Sequence, residues 1–574
     1  MIAPSSRFFA ALATWALLLL ACPGILGRDG AGLLALVALV PWAITACRPG
    51  KHAFLAEWAA AGIGNAAMSV WSAYVWSGTL VFLAIVPGFY VACAGALLRL
   101  LARRFPLAVA APAAWVALET LRVQVEPPFG YGWMRVGTSL HAVGWIAGSA
   151  RVWGTFGLSF VAVAASGGLA DYLRRNQRWA RRTRSPKASI FFGSAPLALA
   201  ILLSLWTQPP ETVPGPRILL VQPSFEQHRK MEPRDWRELA EESIALTAKG
   251  IEDAGSPAPD LVAWGETMFP FPLAEPGLLQ AFERGLRPPP WARDQLELGW
   301  IRNMESVERE WIGGRILGPR GILPAGTSFL TGVEQHVVAE GVIRRQNALV
   351  LFGPDGGRAG LGGKVHLVPG AENLCGLERV GFVRALVESI AGYVPDLLAF
   401  DRARVLVLHA RDGREFRFGT SVCFDNAYDD SYTAPLREGD LDFHLVCSNE
   451  AWYETSFEFD QMIAFSRLLA IETGRSFVRA TNAGVSIVLD PSGGEVARLE
   501  AIPPAGWSAG PSGLADRMVP GTLAVIVPVP APAVAQSRTP FVRFEIGWLA
   551  FFLGLPVLLG FFVVRGGYTT FERS

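Results

Sequence analysis

Charge is what this chain has least of. Only 18% of its 574 residues are Asp, Glu, Lys or Arg, against about 25% in ordinary soluble domains. The 51 basic and 50 acidic residues leave a formal net charge of +1. That offers no excess cation to hold a phosphate backbone, so a nucleic-acid binder is excluded. Cysteine is scarce as well. The six are at 22, 47, 93, 375, 423 and 447, with no C-x-x-C pair, so zinc-ribbon and thioredoxin-like readings fail. The seven His are scattered, without metal-ligand spacing, and no metal is expected. No Gly-rich phosphate loop is present, and no cofactor is expected.

What is abundant is apolar: 51% of residues are hydrophobic. From Phe54 to Leu98 the single charged residue is Glu57. Runs of about 20 apolar residues read as membrane-spanning helices, because every backbone amide must be satisfied inside a bilayer core about 30 Å thick. Eight are expected, near 8–27, 31–47, 54–76, 78–101, 106–122, 152–172, 189–206 and 544–564. The chain divides accordingly into a membrane domain (1–209, seven spans), a segment of soluble composition (210–540) and a last span with a short cytoplasmic tail (541–574). Basic residues set the orientation. Arg7, the pair Arg48 and Lys51, the pair Arg103 and Arg104, the run from Arg174 to Lys187, and Arg565 all fall on the inner side if the N-terminus is inside. The 210–540 segment then lies outside. Arg135 and Arg151 in the 123–151 loop run against this pattern. Leu19-Leu20-Ala21-Cys22 has the look of a lipoprotein cleavage box, but more apolar chain follows, so Cys22 is read as an ordinary residue of the first span.

Within 210–540, short apolar runs recur at 217–222, 260–264, 329–333, 347–352, 404–409, 415–422, 441–447 and 484–489. Turn signals separate them, and hairpins are expected at 412–413 and 490–494. Helical periodicity covers 233–249 and 456–473, the latter stopped by Gly474. Alternating strands and helices argue for a layered α/β domain. Cys447, inside FHLVCS, reads as a buried, inert thiol.

Three segments carry chemistry: LVAWGE ending at Glu266, GGKVHLVPGAE with Lys364 and Glu372, and FRFGTSVCFDN with Cys423 and Asp425. The first and third put a reactive side chain where a strand ends, which is where α/β folds collect functional groups. A thiol, a carboxylate and an ammonium suffice for covalent acyl transfer. The thiolate attacks a carbonyl, the carboxylate moves the proton, and the ammonium meets the oxyanion.

The order Glu, Lys-x-H-L-V-P, Cys resembles the nitrilase superfamily. The flanking K-V-H-L-V-P-G-A-E, S-N-E-A-W-Y (448–453), R-L-L-A-I-E-T-G-R (467–475) and R-A-T-N-A-G-V-S (479–486) are similar to the bacterial apolipoprotein N-acyltransferase family, as is the layout of spans and outer domain. The resemblance implies an αββα sandwich beside a multi-pass α-helical membrane domain. It makes Glu266 the general base, Lys364 the oxyanion-stabilising cation and Cys423 the nucleophile. Glu372 and Asn347 would support them, and Trp236 and Trp452 would line the substrate path. Asp425 stands where the family usually has Glu, one methylene longer. The 270–325 segment is longer than the family pattern, either a substrate arm or a surface insertion.

The resemblance also implies the partners: a membrane phospholipid as acyl donor and a diacylglyceryl apolipoprotein as acceptor, at an inner membrane with the catalytic domain facing the periplasm. Two apolar segments, 268–279 and 380–394, are expected to be membrane-facing lids, the second through Phe382, Leu386, Ile390 and Val394. A membrane-bound nitrilase-type amidase is the competing enzyme. A transporter or receptor is the competing non-enzyme, disfavoured by few ionisable residues in the spans, Glu57 and Glu119 among them.

Overall fold

A computed structural model describes residues 3–174, 186–292, 295–453, 456–499 and 519–571. The chain forms two compact units. The first is Met1–Pro209, Ser456–Gly474 and Arg538–Ser574; the second is Pro210–Thr455 and Arg475–Ser537.

The first unit is all helix. Among the described residues, five helices are long and apolar enough to cross a membrane: Pro4–Ala21, Thr79–Leu101, Ala150–Arg174, Ser189–Trp206 and Pro540–Val563. The other three expected spans are helical too, but differ. The 31–47 run is a shorter apolar stretch broken into Gly32–Leu34, Ala35–Ala38 and Val40–Ala46. Ala53–Met68 has 16 residues, and a 3₁₀ turn follows it. Leu107–Gln124 carries Glu119 and Arg122 in its last turns. Cys22 is buried with its sulfur 3.2 Å from the Ser139 hydroxyl. The basic positions 175–184 lie outside the described residues. Arg135 and Arg151, which run against the charge pattern, are both buried. Arg151 donates to the Thr207 carbonyl (3.0 Å), and Arg135 lies over the Phe156 ring. They stabilise backbone and ring inside the unit.

Two polar clusters hold this apolar unit together. Glu57 is fully buried, and its Oε1 accepts from Arg7 and from Arg99, each at 2.7 Å. Arg7 also donates to the carbonyls of Thr45 and Arg48, at 2.8 and 2.7 Å, and so satisfies the end of the Val40–Ala46 helix. The second cluster centres on the helix Glu458–Thr473, which the sequence reading placed within 210–540 but which packs in the first unit. Its Gln461 accepts from the indoles of Trp71 (3.2 Å) and Trp133 (2.7 Å) and donates to the Met68 carbonyl. Arg467 pairs with Asp29, and Glu472 accepts from the amide and hydroxyl of Thr155.

The second unit is built on two sheets. Its strands are β1 (Thr212–Gln222), β2 (Leu261–Trp264), β3 (Leu273–Ala274), β4 (Ser328–Ala339), β5 (Val342–Phe352), β6 (Arg358–Gly363), β7 (Val405–His409), β8 (Glu415–Val422), β9 (Phe443–Ser448), β10 (Ser476–Thr481), β11 (Ile487–Leu489), β12 (Glu495–Arg498) and β13 (Gly521–Pro530). One sheet runs β13-β1-β2-β4-β5-β6, with β3 beside β4; the other runs β12-β11-β10-β9-β8-β7. The centre of each sheet is parallel (β1-β2-β4 and β8-β9-β10) and the margins are antiparallel. Both expected hairpins are present, as β7–β8 and β11–β12.

The sheets meet face to face. Cys447 of β9 lies 3.4 Å from the Trp264 carbonyl of β2, and Thr481 of β10 donates to Gln222 of β1 (2.7 Å). Strands buried on both faces read as continuous apolar runs, which is why LVAW and FHLVCS are uniformly buried. The amphipathic helix Trp236–Ala254 covers the first sheet with Leu239, Ala240 and Ile244. Asp430–Glu438 lies on the second sheet, where the Tyr432 hydroxyl meets Ser421 at 2.8 Å. The 270–325 segment is not a loose surface insertion. Leu278, Phe282, Leu296, Ile301 and Met304 give it a small core of its own, and Trp311, Ile312 and Ile316 join the main one.

Glu57→Ala would leave two guanidinium groups without their carboxylate in an apolar bundle. A loss of about 3–5 kcal/mol is expected, read as a lower unfolding midpoint of the detergent-solubilised protein.

Candidate active site

Glu266, Lys364 and Cys423 each follow a strand: two residues after β2, directly after β6 and directly after β8. Asn347 lies within β5. Parallel strands that end together gather these side chains at one rim of the double sheet. The glycine in LVAWGE has a steric cause. A Cβ on Gly265 would stand 2.6 Å from the Asn482 amide nitrogen, so only glycine lets the two sheets close there. Thr267 and Cys423 are held at φ 48° and 49°. Non-glycine residues in that region store strain that surrounding contacts must hold.

The charges are arranged in a row. Lys364 Nζ donates to Glu372 Oε1 at 2.7 Å and lies 3.5 Å from Glu266 Oε1. Asn347 Nδ2 donates to the same Glu266 oxygen at 2.7 Å. Glu372 is oriented by the Val368 amide (2.7 Å), and the Lys364 amide donates to the Asn347 carbonyl (2.9 Å). One Glu266 oxygen is therefore doubly held. The other, Oε2, is buried and has no partner among the described residues.

Cys423 is buried at the rim. Burial pushes its thiol well above the usual range; the Glu266 charge adds to this and Lys364 opposes it. These effects together favour the neutral thiol. For Lys364 burial acts downward, but Glu372, Cys423 and Glu266 outweigh it and hold the ammonium well above its ordinary value. Burial raises the Glu372 carboxyl against the pull of Lys364.

The shorter carboxylate at 425 reaches its partners. It accepts from the amides of Val422 (2.9 Å), His366 (2.7 Å) and Val365 (3.2 Å). It therefore ties the backbone beside the thiol to the backbone beside the ammonium. Burial pushes it up to about 6, against His366 and these amides.

The remaining expected residues divide. The Trp236 indole donates to the Lys230 carbonyl (3.2 Å) and its ring meets Phe271 edge-on. Trp452 is 37% exposed. The helix Gly381–Ala391 leaves Phe382 77%, Leu386 47% and Ile390 57% exposed, while Val394 is buried. The other expected lid is overturned. Met268, Phe269, Leu273 and Leu278 are buried, and β3 pairs with β4, so 268–279 is core packing. Sequence reasoning missed Lys230 and the two asparagines behind it. Asn482 bonds both the amide and carbonyl of Phe225, at 3.0 and 2.9 Å, as well as Asn449. Asn449 in turn donates to Gln227 at 2.8 Å. S-N-E-A-W-Y and R-A-T-N-A-G-V-S contain these anchors.

Two face-to-face sheets of this topology are the fold of a nitrilase-like carbon-nitrogen hydrolase. Residues 324–501 match the carbon-nitrogen hydrolase family, and residues 8–168 match the apolipoprotein N-acyltransferase N-terminal domain. Glu266 lies ahead of the first of these matches; the fold brings it to the other two. In both of these regions the chain is similar to the apolipoprotein N-acyltransferases. Among proteins named apolipoprotein N-acyltransferase, that of Chlorobaculum tepidum is 24% identical over 67% of each chain. That of Sinorhizobium medicae is 27% identical over 56% of this chain and 51% of its own. That of Methylococcus capsulatus is 27% identical over 67% and 64%. The matched region thus spans about half to two thirds of these curated relatives. Among solved structures, an amidase of the nitrilase superfamily from Nesterenkonia AN1 covers 59% of this chain and 100% of its own, at 16% identity and a TM-score of 0.35.

The sign of the Glu266 effect on Cys423 is open to test. Glu266→Gln removes a negative charge that raises the thiol, so the thiol should ionise at lower pH. Alkylation of Cys423 by iodoacetamide at pH 8 should become several-fold faster, measured by mass spectrometry of the labelled peptide.

Proposed function

We propose that this membrane protein is an acyltransferase that carries a fatty acyl chain from a phospholipid, as a thioester on Cys423, to the α-amino group of an N-terminal S-diacylglyceryl-cysteine of an apolipoprotein. The observation that carries the reading is the Glu266 carboxylate. One oxygen is fixed by Asn347 and Lys364, while the other is buried and unpartnered, and the carboxylate acts electrostatically on a thiol that burial keeps protonated.

The free Glu266 oxygen takes the Cys423 proton as sulfur attacks the sn-1 ester carbonyl. Lys364 stabilises the oxyanion, and Glu372 and Asn347 hold Lys364 and Glu266 in place. The carbon–oxygen bond to glycerol breaks, and Glu266 returns the proton to the departing lysophospholipid. In the second half the apolipoprotein amine attacks the thioester carbonyl and the carbon–sulfur bond breaks. Glu266 moves the amine proton to the sulfur, leaving an amide and the free thiol. Atoms balance without cofactor or metal. The burial that raises the thiol also disfavours water as the acceptor.

Both substrates are lipids, which explains the attached membrane unit. At about 0.8 kcal/mol per CH₂, a 16-carbon chain is held in a bilayer by roughly 10 kcal/mol, so the enzyme must work at the membrane surface. The charge pattern favours a catalytic unit on the outer side, which is the periplasmic side of the inner membrane that the family resemblance implies. The exposed apolar face of Gly381–Ala391, in the segment between Lys364 and Cys423, supports a lid that enters the lipid surface. Trp452 and Trp236 would border the acyl path.

Incubation with phospholipid carrying a labelled sn-1 chain should place label on the wild-type protein and none on Cys423→Ala. Label that accumulates until an apolipoprotein peptide is added supports transfer; prompt loss to water would favour the amidase reading. Phe382→Asp combined with Leu386→Asp should slow acylation by phospholipid at least about tenfold, since two apolar contacts worth about 1.5–3 kcal/mol each are lost. Acylation by a small soluble thioester should change less, as read by the rate of acyl-enzyme formation.

A further inference from the structure

Lys364 is not the only ammonium near the thiol. Lys230, in the short helix Gln227–Met231, donates from Nζ to the Glu266 carbonyl and to the Thr267 hydroxyl, each at 3.0 Å. An ammonium has three donors, so these two acceptors leave one. Both acceptors are neutral, and among the described residues no carboxylate pairs with this nitrogen. Lys364, by contrast, is flanked by Glu372 and Glu266 and has its charge matched twice. The ionisable groups that act on Lys230 are Glu266 and Cys423, and both favour its charged form.

The position is built. Asn482 grips Phe225 by both its backbone groups, Asn449 holds Gln227, and the Trp236 indole binds the Lys230 carbonyl. Four contacts thus fix a loop whose contribution to the rim is one unmatched cation. Lys230 is half-buried, so its remaining N–H stays within reach of an anion that arrives with the substrate. In a glycerophospholipid the phosphodiester is the one negative charge common to every headgroup, and it sits on the same glycerol as the ester under attack.

We infer that Lys230 is the subsite for the donor's phosphodiester, so that the enzyme selects phospholipids over neutral acylglycerols by charge at this position. This rests on the acyltransferase reading above. Burial lowers the Lys230 ammonium to about 8, with Glu266 and Cys423 acting in the other direction. It stays mostly charged at neutral pH, and a bound phosphate would raise it further.

The test uses the full-length protein in detergent micelles. Cys423 acylation is followed by mass spectrometry with phosphatidylglycerol and, separately, with the uncharged dipalmitoylglycerol, for wild type, Lys230→Met and Lys230→Arg. The expected result is a loss of about tenfold or more with phosphatidylglycerol in Lys230→Met, mostly in KM, since a charge-assisted hydrogen bond is lost. The change with dipalmitoylglycerol should be much smaller, and Lys230→Arg should recover most of the phospholipid rate. Equal losses on both donors would make Lys230 a brace for the Glu266–Thr267 turn and overturn the assignment, as would no loss on either. Inorganic phosphate added to the dipalmitoylglycerol assay should leave wild type and Lys230→Met alike; inhibition of wild type alone would mark a free-anion site instead. If neither donor acylates wild-type Cys423, it is the acyltransferase reading that fails.

Discussion

One carboxylate that carries no chemistry holds the site together. Asp425 gathers three backbone amides, one from the strand leading into the thiol and two from the turn that follows the ammonium. Cys423 stays at a positive φ because its neighbours are pinned on both sides. Without that tie the two sheets could still pack, but their reactive ends would be free to drift apart. An effective nucleophile and oxyanion partner need placement to within a fraction of an ångström. A side chain one methylene shorter than its family counterpart still spans the gap, since its acceptors lie on backbone rather than on a distant side chain.

Polar groups serve the two units in opposite ways. In the helical unit the polar clusters serve cohesion: Glu57 between two arginines, Gln461 between two indoles, Glu472 on Thr155. In the sheet unit the rim leaves valences open, namely one oxygen of Glu266 and one N–H of Lys230.

Much of this was legible in the chain. The strand ends at Glu266 and Cys423 were marked by apolar runs stopping at polar residues, and the turns at 412–413 and 490–494 by Gly and Asp; the Gly-rich strand ahead of Lys364, Arg358–Gly363, read instead as a turn. Three things were hidden for physical reasons. An apolar run has no label for which surface will cover it, so 268–279 looked like a lid and became core, while 381–391 keeps its apolar face in the open. Lys230 stands beside Arg229 with nothing in the spacing to separate them, yet Arg229 is paired with Glu242 at the surface and Lys230 is turned to the reacting groups. The helix Glu458–Thr473 has the periodicity of any amphipathic segment, and only its partners reveal which unit it packs with.

That helix bears on how the molecule can be handled. It is encoded between β9 and β10, in the middle of the enzyme's own sequence, yet it forms part of the membrane bundle. No single cut in the gene separates catalyst from anchor. A water-soluble fragment trimmed at residues 210 and 537 would still carry Gln461, Arg467 and Glu472 with their partners deleted, and would expose the apolar stretch that lay among them. Making such a fragment behave would mean repainting that one helix for water, not merely trimming the ends.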